Sequence, residues 1–229
     1  LINDIFDFKI DQINRPGTNK TGLFSFKTNI FFYILFTFIC LIPWPFVKPE
    51  FFFPALAVQV FLFIYSYQLK KYPLAGNLTV AILSSIAILP TIPIAENRTQ
   101  EQFIFIWFLG FFSFLSTLIR EIIKDIEDIE GDRLENCKTL AISIGIPKTK
   151  KWLSYLFFVL IISEIYWGLS LIHFYSKVWM LLVVLVFSIF TWLKLYKANS
   201  KSDYSRISKM MKILMLLGIL IVIFVHFKL

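Results

Sequence analysis

Cysteine is nearly absent from this chain. There are two in 229 residues, Cys40 inside an apolar run and Cys137 in a charged stretch far along the sequence, so a disulfide-stapled scaffold and a thiolate metal site are both excluded. Glycine is scarce at 8 residues and charge is sparse at 17%, which rules out collagen-like repeats and intrinsic disorder. A secretory leader, with a basic start and a small-residue cleavage site, is not visible. What remains is apolar: 58% of residues are hydrophobic, 18% are aromatic and 27 are Phe, against roughly 45–50% apolar residues in a soluble domain. A water-soluble globule is excluded, and the chain reads as an integral membrane protein in contact with membrane lipid. The net charge of +8 would suggest nucleic acid in a soluble protein, but membrane proteins concentrate Lys and Arg in their cytoplasmic loops. No nucleic acid and no obligate protein partner are expected.

A helix needs about 20 apolar residues to cross a bilayer core. Seven stretches approach or reach this, at 23–47, 51–67, 76–95, 102–119, 152–173, 178–193 and 210–227, so seven full spans are predicted. The runs show no period-2 alternation, which favours helices over an outer-membrane barrel. Pro43, Pro45, Pro90 and Pro93 should kink or end their helices. Of the 23 Lys and Arg, all but Lys48, Arg98, Lys177 and Lys228 fall in alternate connections on one side, which makes that side cytoplasmic by the positive-inside rule.

The 15 carboxylates are unevenly spread. Asp4, Asp7 and Asp11 occupy one short window, and Glu121, Asp125, Glu127, Asp128, Glu130, Asp132 and Glu135 occupy another. Four predicted spans separate the windows, an even number, so both emerge on the cytoplasmic side. Asp4, Asp7, Asp11 and Asp125, Asp128, Asp132 repeat one spacing. On a helix, offsets of 0, 3 and 7 fall at about 0°, 300° and 340°, one stripe. Asn3, Asp7 and Asp11 share it, while Glu127 and Glu130 point largely the other way, as suits a solvated or ion-paired role. Carboxylates this close raise one another's pKa unless a cation lies between them. Mg2+, which takes one or two carboxylates and completes its shell with waters and phosphates, suits two such stripes around a diphosphate. Arg15, Lys70, Lys71 and Lys138 are placed to meet phosphate oxygens. The competing readings are a solvated acidic helix end, an ion or proton transporter and a non-catalytic scaffold, although a transporter would usually hold its acids near mid-membrane. Asn77 in GNLT reads as a polar helix start.

Three motifs carry a family resemblance. NDIFDFKIDQINRP (Asn3 to Pro16), YSYQLKKYPLAGNLTVA (Tyr65 to Ala81) and REIIKDIEDIEGDRLENCKTLAISIG (Arg120 to Gly145) resemble, in order and spacing, the signatures of the UbiA superfamily of intramembrane prenyltransferases. The resemblance implies an all-α integral membrane bundle around a central cavity, nine helices in the complete protein, forming a single domain over residues 1–229. The first signature would lie at the end of helix two, so helix one and most of helix two are expected to precede Leu1.

The resemblance further implies that Asn3, Asp4, Asp7 and Asp11 hold one Mg2+ and Asp125, Asp128 and Asp132 another, with Asp7, Asp11, Asp128 and Asp132 catalytic. Arg15, Lys70 and Lys138 would neutralise the diphosphate of a polyprenyl diphosphate donor, while the role of Lys71 stays open. The spelling REIIKDIEDIEGD looks most like the branch that prenylates the hydroxyl of a polyprenylglycerol phosphate. A lipophilic acceptor of aromatic type, 4-hydroxybenzoate or dihydroxynaphthoate, is the alternative. The site is expected to open to the cytoplasmic side of a multi-pass protein of the cytoplasmic membrane.

Overall fold

The computed structural model describes residues 2–14, 16–17, 20–42, 46, 49–88, 100–170 and 175–226. Arg15, Pro43, Pro45, Pro90 and Pro93 lie outside them. Among the described residues the chain is helical with no strand. The helices are α1 (Ile2–Phe6), α2 (Phe8–Asn14), α3 (Phe26–Leu41), α4 (Pro49–Tyr67), α5 (Ala75–Ile86), α6 (Gln100–Glu127), α7 (Ile129–Leu134), α8 (Leu140–Ile144), α9 (Ile146–Ser170), α10 (Tyr175–Lys197) and α11 (Lys201–His226).

Local chemistry sets several ends. Ser25 caps α3 by accepting from the Thr28 N–H at 3.2 Å. Before α11, Ser200 and Asp203 form a reciprocal pair: the Asp203 N–H donates to Ser200 Oγ at 3.2 Å, and Asp203 Oδ2 accepts the Ser200 N–H at 3.0 Å. This arrangement satisfies amides that a first helical turn leaves without partners. At the far end of α10, Lys150 Nζ reaches the carbonyls of Tyr196 and Ala198 at 3.0 and 2.9 Å, answering the opposite set.

α6 is the central element. Its buried stripe, including Leu115, Ile119, Ile122 and Ile126, packs with Leu153 and Phe157 of α9 and Met211 and Leu214 of α11. The outward surface is as greasy as this core. On α9, Tyr155, Phe158, Ile162 and Tyr166 are exposed while Leu153, Phe157 and Leu160 are fully buried. A helix apolar on every side belongs in hydrocarbon rather than water. There, association relies on close packing and interhelical hydrogen bonds, supplied by Ser188 Oγ donating to Glu164 Oε1 at 2.7 Å and Ser84 Oγ to Thr117 Oγ1 at 3.0 Å.

Seven helices, α3 to α6 and α9 to α11, overlap the seven predicted stretches. Seven full spans is a stronger statement, and among the described residues two segments, Phe105–Glu127 and Ile146–Leu169, are long and apolar enough to cross a membrane. Phe26–Cys40, Phe52–Tyr67 and Ala75–Ile86 are shorter apolar helices among the described residues.

Gly218 of α11 lets that helix approach α6: a Cβ there would lie 2.5 Å from the ring of Phe112, itself 5% exposed. Gly218→Val should therefore destabilise the bundle by about 1–3 kcal/mol through overpacking, read as a lower unfolding temperature in detergent.

Candidate functional site at the junction of two acidic signatures

Each acidic window is split between two helices, the short α1 and α2 in the first and the end of the long α6 and the short α7 in the second, and in both the break falls at the middle aspartate of the trio. Asp7 separates α1 from α2, and Asp128 separates α6 from α7. The backbone ladder nevertheless continues. Asp7 N–H donates to the Asn3 carbonyl and Asp11 N–H to the Asp7 carbonyl, both at 2.8 Å, while Asp128 and Asp132 do the same to Lys124 and Asp128 at 2.8 and 3.1 Å. The i to i+4 registers that place Asn3, Asp7 and Asp11, and likewise Asp128 and Asp132, on successive turns are thus preserved. Asn3, Asp7, Asp11, Asp125, Asp128 and Asp132 are all half-buried. Asp4 is exposed, and its backbone carbonyl accepts the Thr21 hydroxyl, so it stands apart from that set.

Contacts distant in sequence join the two windows. The Asn14 amide donates to the Asp128 carbonyl at 3.1 Å and accepts the Gly131 N–H at 3.2 Å, seating α2 on α7. Lys70, in the turn after α4, ion-pairs with Asp7, whose other oxygen accepts Asn3 Nδ2 at 2.6 Å. Ser66, 1% exposed, lies with its hydroxyl 3.5 Å from Asn3 Oδ1. On the other wall Asn77 Nδ2 donates to Asp125 Oδ2 at 2.9 Å. The Lys138 N–H donates to the Lys71 carbonyl at 2.8 Å, tying the two basic turns together, but the Lys138 side chain is exposed at the rim.

These contacts and charges bring Asn3, Asp7 and Lys70 toward Asp125, Asp128 and Asp132, while Asp4 and the side chain of Lys138 are exposed. Two readings are sharpened. Asn77 does lie in the first turn of α5, but Leu74 occupies the N-cap without a side-chain hydrogen bond, and Asn77 is 8% exposed and donates to Asp125. Glu130 is exposed as expected, whereas Glu127 is 7% exposed, which leaves the ion-paired alternative for it rather than the solvated one. Two further groups carried no assigned role. Asn14 was visible only as part of the NRP tail. Glu121, 8% exposed and one turn before Asp125, is ion-paired with Arg120.

Electrostatics register the meeting of the windows. The Asp132 carboxyl is pushed up to about 7 by burial, then by the charges of Asp128 on its own wall and Asp7 on the other, with Lys124 and Lys70 opposing. Burial followed by the Asp132 charge likewise lifts the Cys137 thiol to about 11, which makes it a poor nucleophile. The available donors are carboxylate and amide oxygens, the hard ligands that Mg2+ prefers. Among the described residues no group of three or more His, Cys, Asp or Glu side chains is drawn together closely enough to hold a metal ion.

Because a raised carboxyl favours the unfolded state as pH climbs, Asp132→Asn should stabilise the metal-free protein. The gain should grow from about pH 4, near the ordinary value of 3.8, to about pH 7 and then level off. Thermal unfolding in EDTA across that range is the measurement.

A digeranylgeranylglyceryl phosphate synthase from Methanosphaera stadtmanae is 36% identical over 148 residues, 64% of this chain and 53% of that protein. One from Pyrococcus horikoshii is 36% identical over 164 residues, 71% of this chain and 57% of its own length. The chain thus spans about half the length of the curated relatives it matches. A solved structure described as concerning digeranylgeranylglyceryl phosphate synthase in membranes superposes with a TM-score of 0.68 at 26% identity, over 100% of this chain and 80% of that one. A UbiA homolog from Archaeoglobus fulgidus, solved bound to GPP and Mg2+, gives 0.70 at 15% identity, covering 96% of this chain and 81% of its own, a likeness of fold. A family model matches residues 1–216, both signatures included, and the chain belongs to the UbiA prenyltransferase family.

Proposed function

We propose that this protein is a Mg2+-dependent prenyltransferase of the membrane, moving a polyprenyl group of geranylgeranyl size from its diphosphate to the hydroxyl of a polyprenylglycerol phosphate. The observation carrying this reading is the convergence of two acidic signatures, from opposite ends of a long stretch of chain, beside Lys70 at one end of an apolar bundle. The names of the relatives, digeranylgeranylglyceryl phosphate synthases, and the GPP and Mg2+ held by a protein of the same fold support it.

Asn3, Asp7 and Asp11 on one wall and Asp125, Asp128 and Asp132 on the other are the residues that would hold Mg2+, with Asp4 outside the half-buried set. When bound, the metal neutralises charge gathering on the departing diphosphate. Lys70 and, from the rim, Lys138 bring positive charge to the same phosphates, as does Arg15, which lies outside the described residues. In the reaction the allylic C–O bond breaks, its electron pair leaves with the diphosphate, and the acceptor oxygen forms the new ether bond as it gives up its proton. The apolar bundle keeps water from the electron-poor allylic carbon.

Residues 1–229 are read as one domain whose seven long helices each cross the bilayer around a central cavity. The site opens to the cytoplasm, a placement supported by the Lys and Arg of alternate connections.

Incubating the full chain in detergent with radiolabelled geranylgeranyl diphosphate, Mg2+ and a panel of acceptors tests the reading. A Mg2+-dependent ether lipid should form with polyprenylglycerol phosphate and not with 4-hydroxybenzoate or dihydroxynaphthoate. Asp7→Ala and Asp128→Ala should each lower kcat/KM by at least about a hundredfold. Absence of product with every acceptor overturns the reading.

A further inference from the structure

At its α6–α7 break the second signature is gripped by a side chain of the first. Asn14 is 7% exposed and lies 114 residues from Asp128 and 117 from Gly131, yet its amide makes a two-point contact with that backbone. The Asp128 carbonyl accepts both the Asp132 N–H, at 3.1 Å, and Asn14 Nδ2, at 3.1 Å. The Gly131 N–H turns to Asn14 Oδ1. One amide thus engages the backbone of Asp128 and the residue preceding Asp132, while its own helix carries Asp11 one turn earlier. Gly131 leaves it room: a Cβ there would lie 2.4 Å from Asn14 Nδ2. Asn14 has no charge and ligates nothing in the proposed chemistry.

We infer that Asn14 is the positioning residue of this site, setting the separation between the carboxylates of the first signature and those of the second through its paired contact with Asp128 and Gly131. The inference rests on the proposed function, because the separation matters to catalysis only where both walls serve one metal-bound diphosphate. Supporting groups of this kind typically alter metal affinity by about 10–100-fold when removed, and a site of this sort tolerates only about 0.5 Å of misplacement.

The test uses the full chain in detergent. Equilibrium binding of labelled geranylgeranyl diphosphate is followed as Mg2+ is raised, in the parent and in Asn14→Ala, Asn14→Asp and Gly131→Ala. Each variant should need at least about tenfold more Mg2+ for half-saturation, and combining Asn14→Ala with Gly131→Ala should add little, because both break one contact. A readout independent of metal comes from spin labels at Ile13 and Leu134, both exposed on α2 and α7, in a background lacking Cys40 and Cys137. Their distance distribution in EDTA should broaden or shift in Asn14→Ala. Should that variant fail to fold, Gly131→Ala carries both measurements. An unchanged Mg2+ requirement and an unchanged distribution, with only a loss of thermal stability, would overturn the inference. Failure of the parent itself to bind the diphosphate in Mg2+ would overturn the proposed function and take this inference with it.

Discussion

Carboxylates gathered on facing walls at one end of an apolar bundle repel one another, and the architecture of that end is organised around the repulsion. Where water is scarce the effective dielectric constant is low and like charges interact strongly. The protein answers part of the repulsion itself. Lys70 sits on Asp7, Asn3 donates to the same carboxylate and Asn77 donates to Asp125. The answer is incomplete at Asp132, which still feels Asp128 and Asp7. A site left under such tension loses stability, the pattern expected where residues are selected for chemistry over packing.

Much of this end was legible in advance because its grammar is local. Spacings of three and four residues place side chains on one helical face whatever the rest of the chain does, and the parity of the connections placed both windows on one side. Asp7, Asp11, Asp125, Asp128 and Asp132 are half-buried in line with that spacing, but the spacing did not choose between Asn3 and Asp4. What could not be read was long-range. Asn14 and Gly131 are 117 residues apart, and no periodicity links an amide in one motif to an N–H in another. Asn77 was legible only in part for the same reason: near a helix start the local rule favours capping, whereas the residue is claimed by Asp125, 48 positions away. Asp4 fitted the repeated spacing but turned outward, because the stripe facing inward is the one begun by Asn3.

Helix ends in the apolar regions were less legible. Hydropathy reports that a segment tolerates lipid, not where its backbone turns helical, so the predicted stretch 23–47 begins ahead of α3, in a short turn at Thr21–Leu23. The α6–α7 break was hidden too, since the sequence around Asp128 has neither Pro nor an adjacent Gly. Asp128 sits there with φ −97° and ψ 8°, in the sparsely populated bridge region between helix and strand conformations that turns use. A similar interruption falls at Asp7, so on both walls the middle aspartate of the trio sits between two helices, α1 and α2 on one wall and the end of α6 and α7 on the other.

Glu164 and Ser188 hold a quieter lesson. α9 offers hydrocarbon the same kind of side chain on its lipid-facing and inward sides, so solvent preference gives the helix no orientation about its own long axis. Selection of one orientation falls to shape and to the sparse polar groups, and the Glu164–Ser188 bond is a directional contact between α9 and α10. Substitutions among the outward Phe, Tyr and Ile can therefore accumulate without turning the helix, whereas the identity of a single acid at position 164 is tied to that of a single hydroxyl at 188. Across related sequences the two positions should change together or not at all.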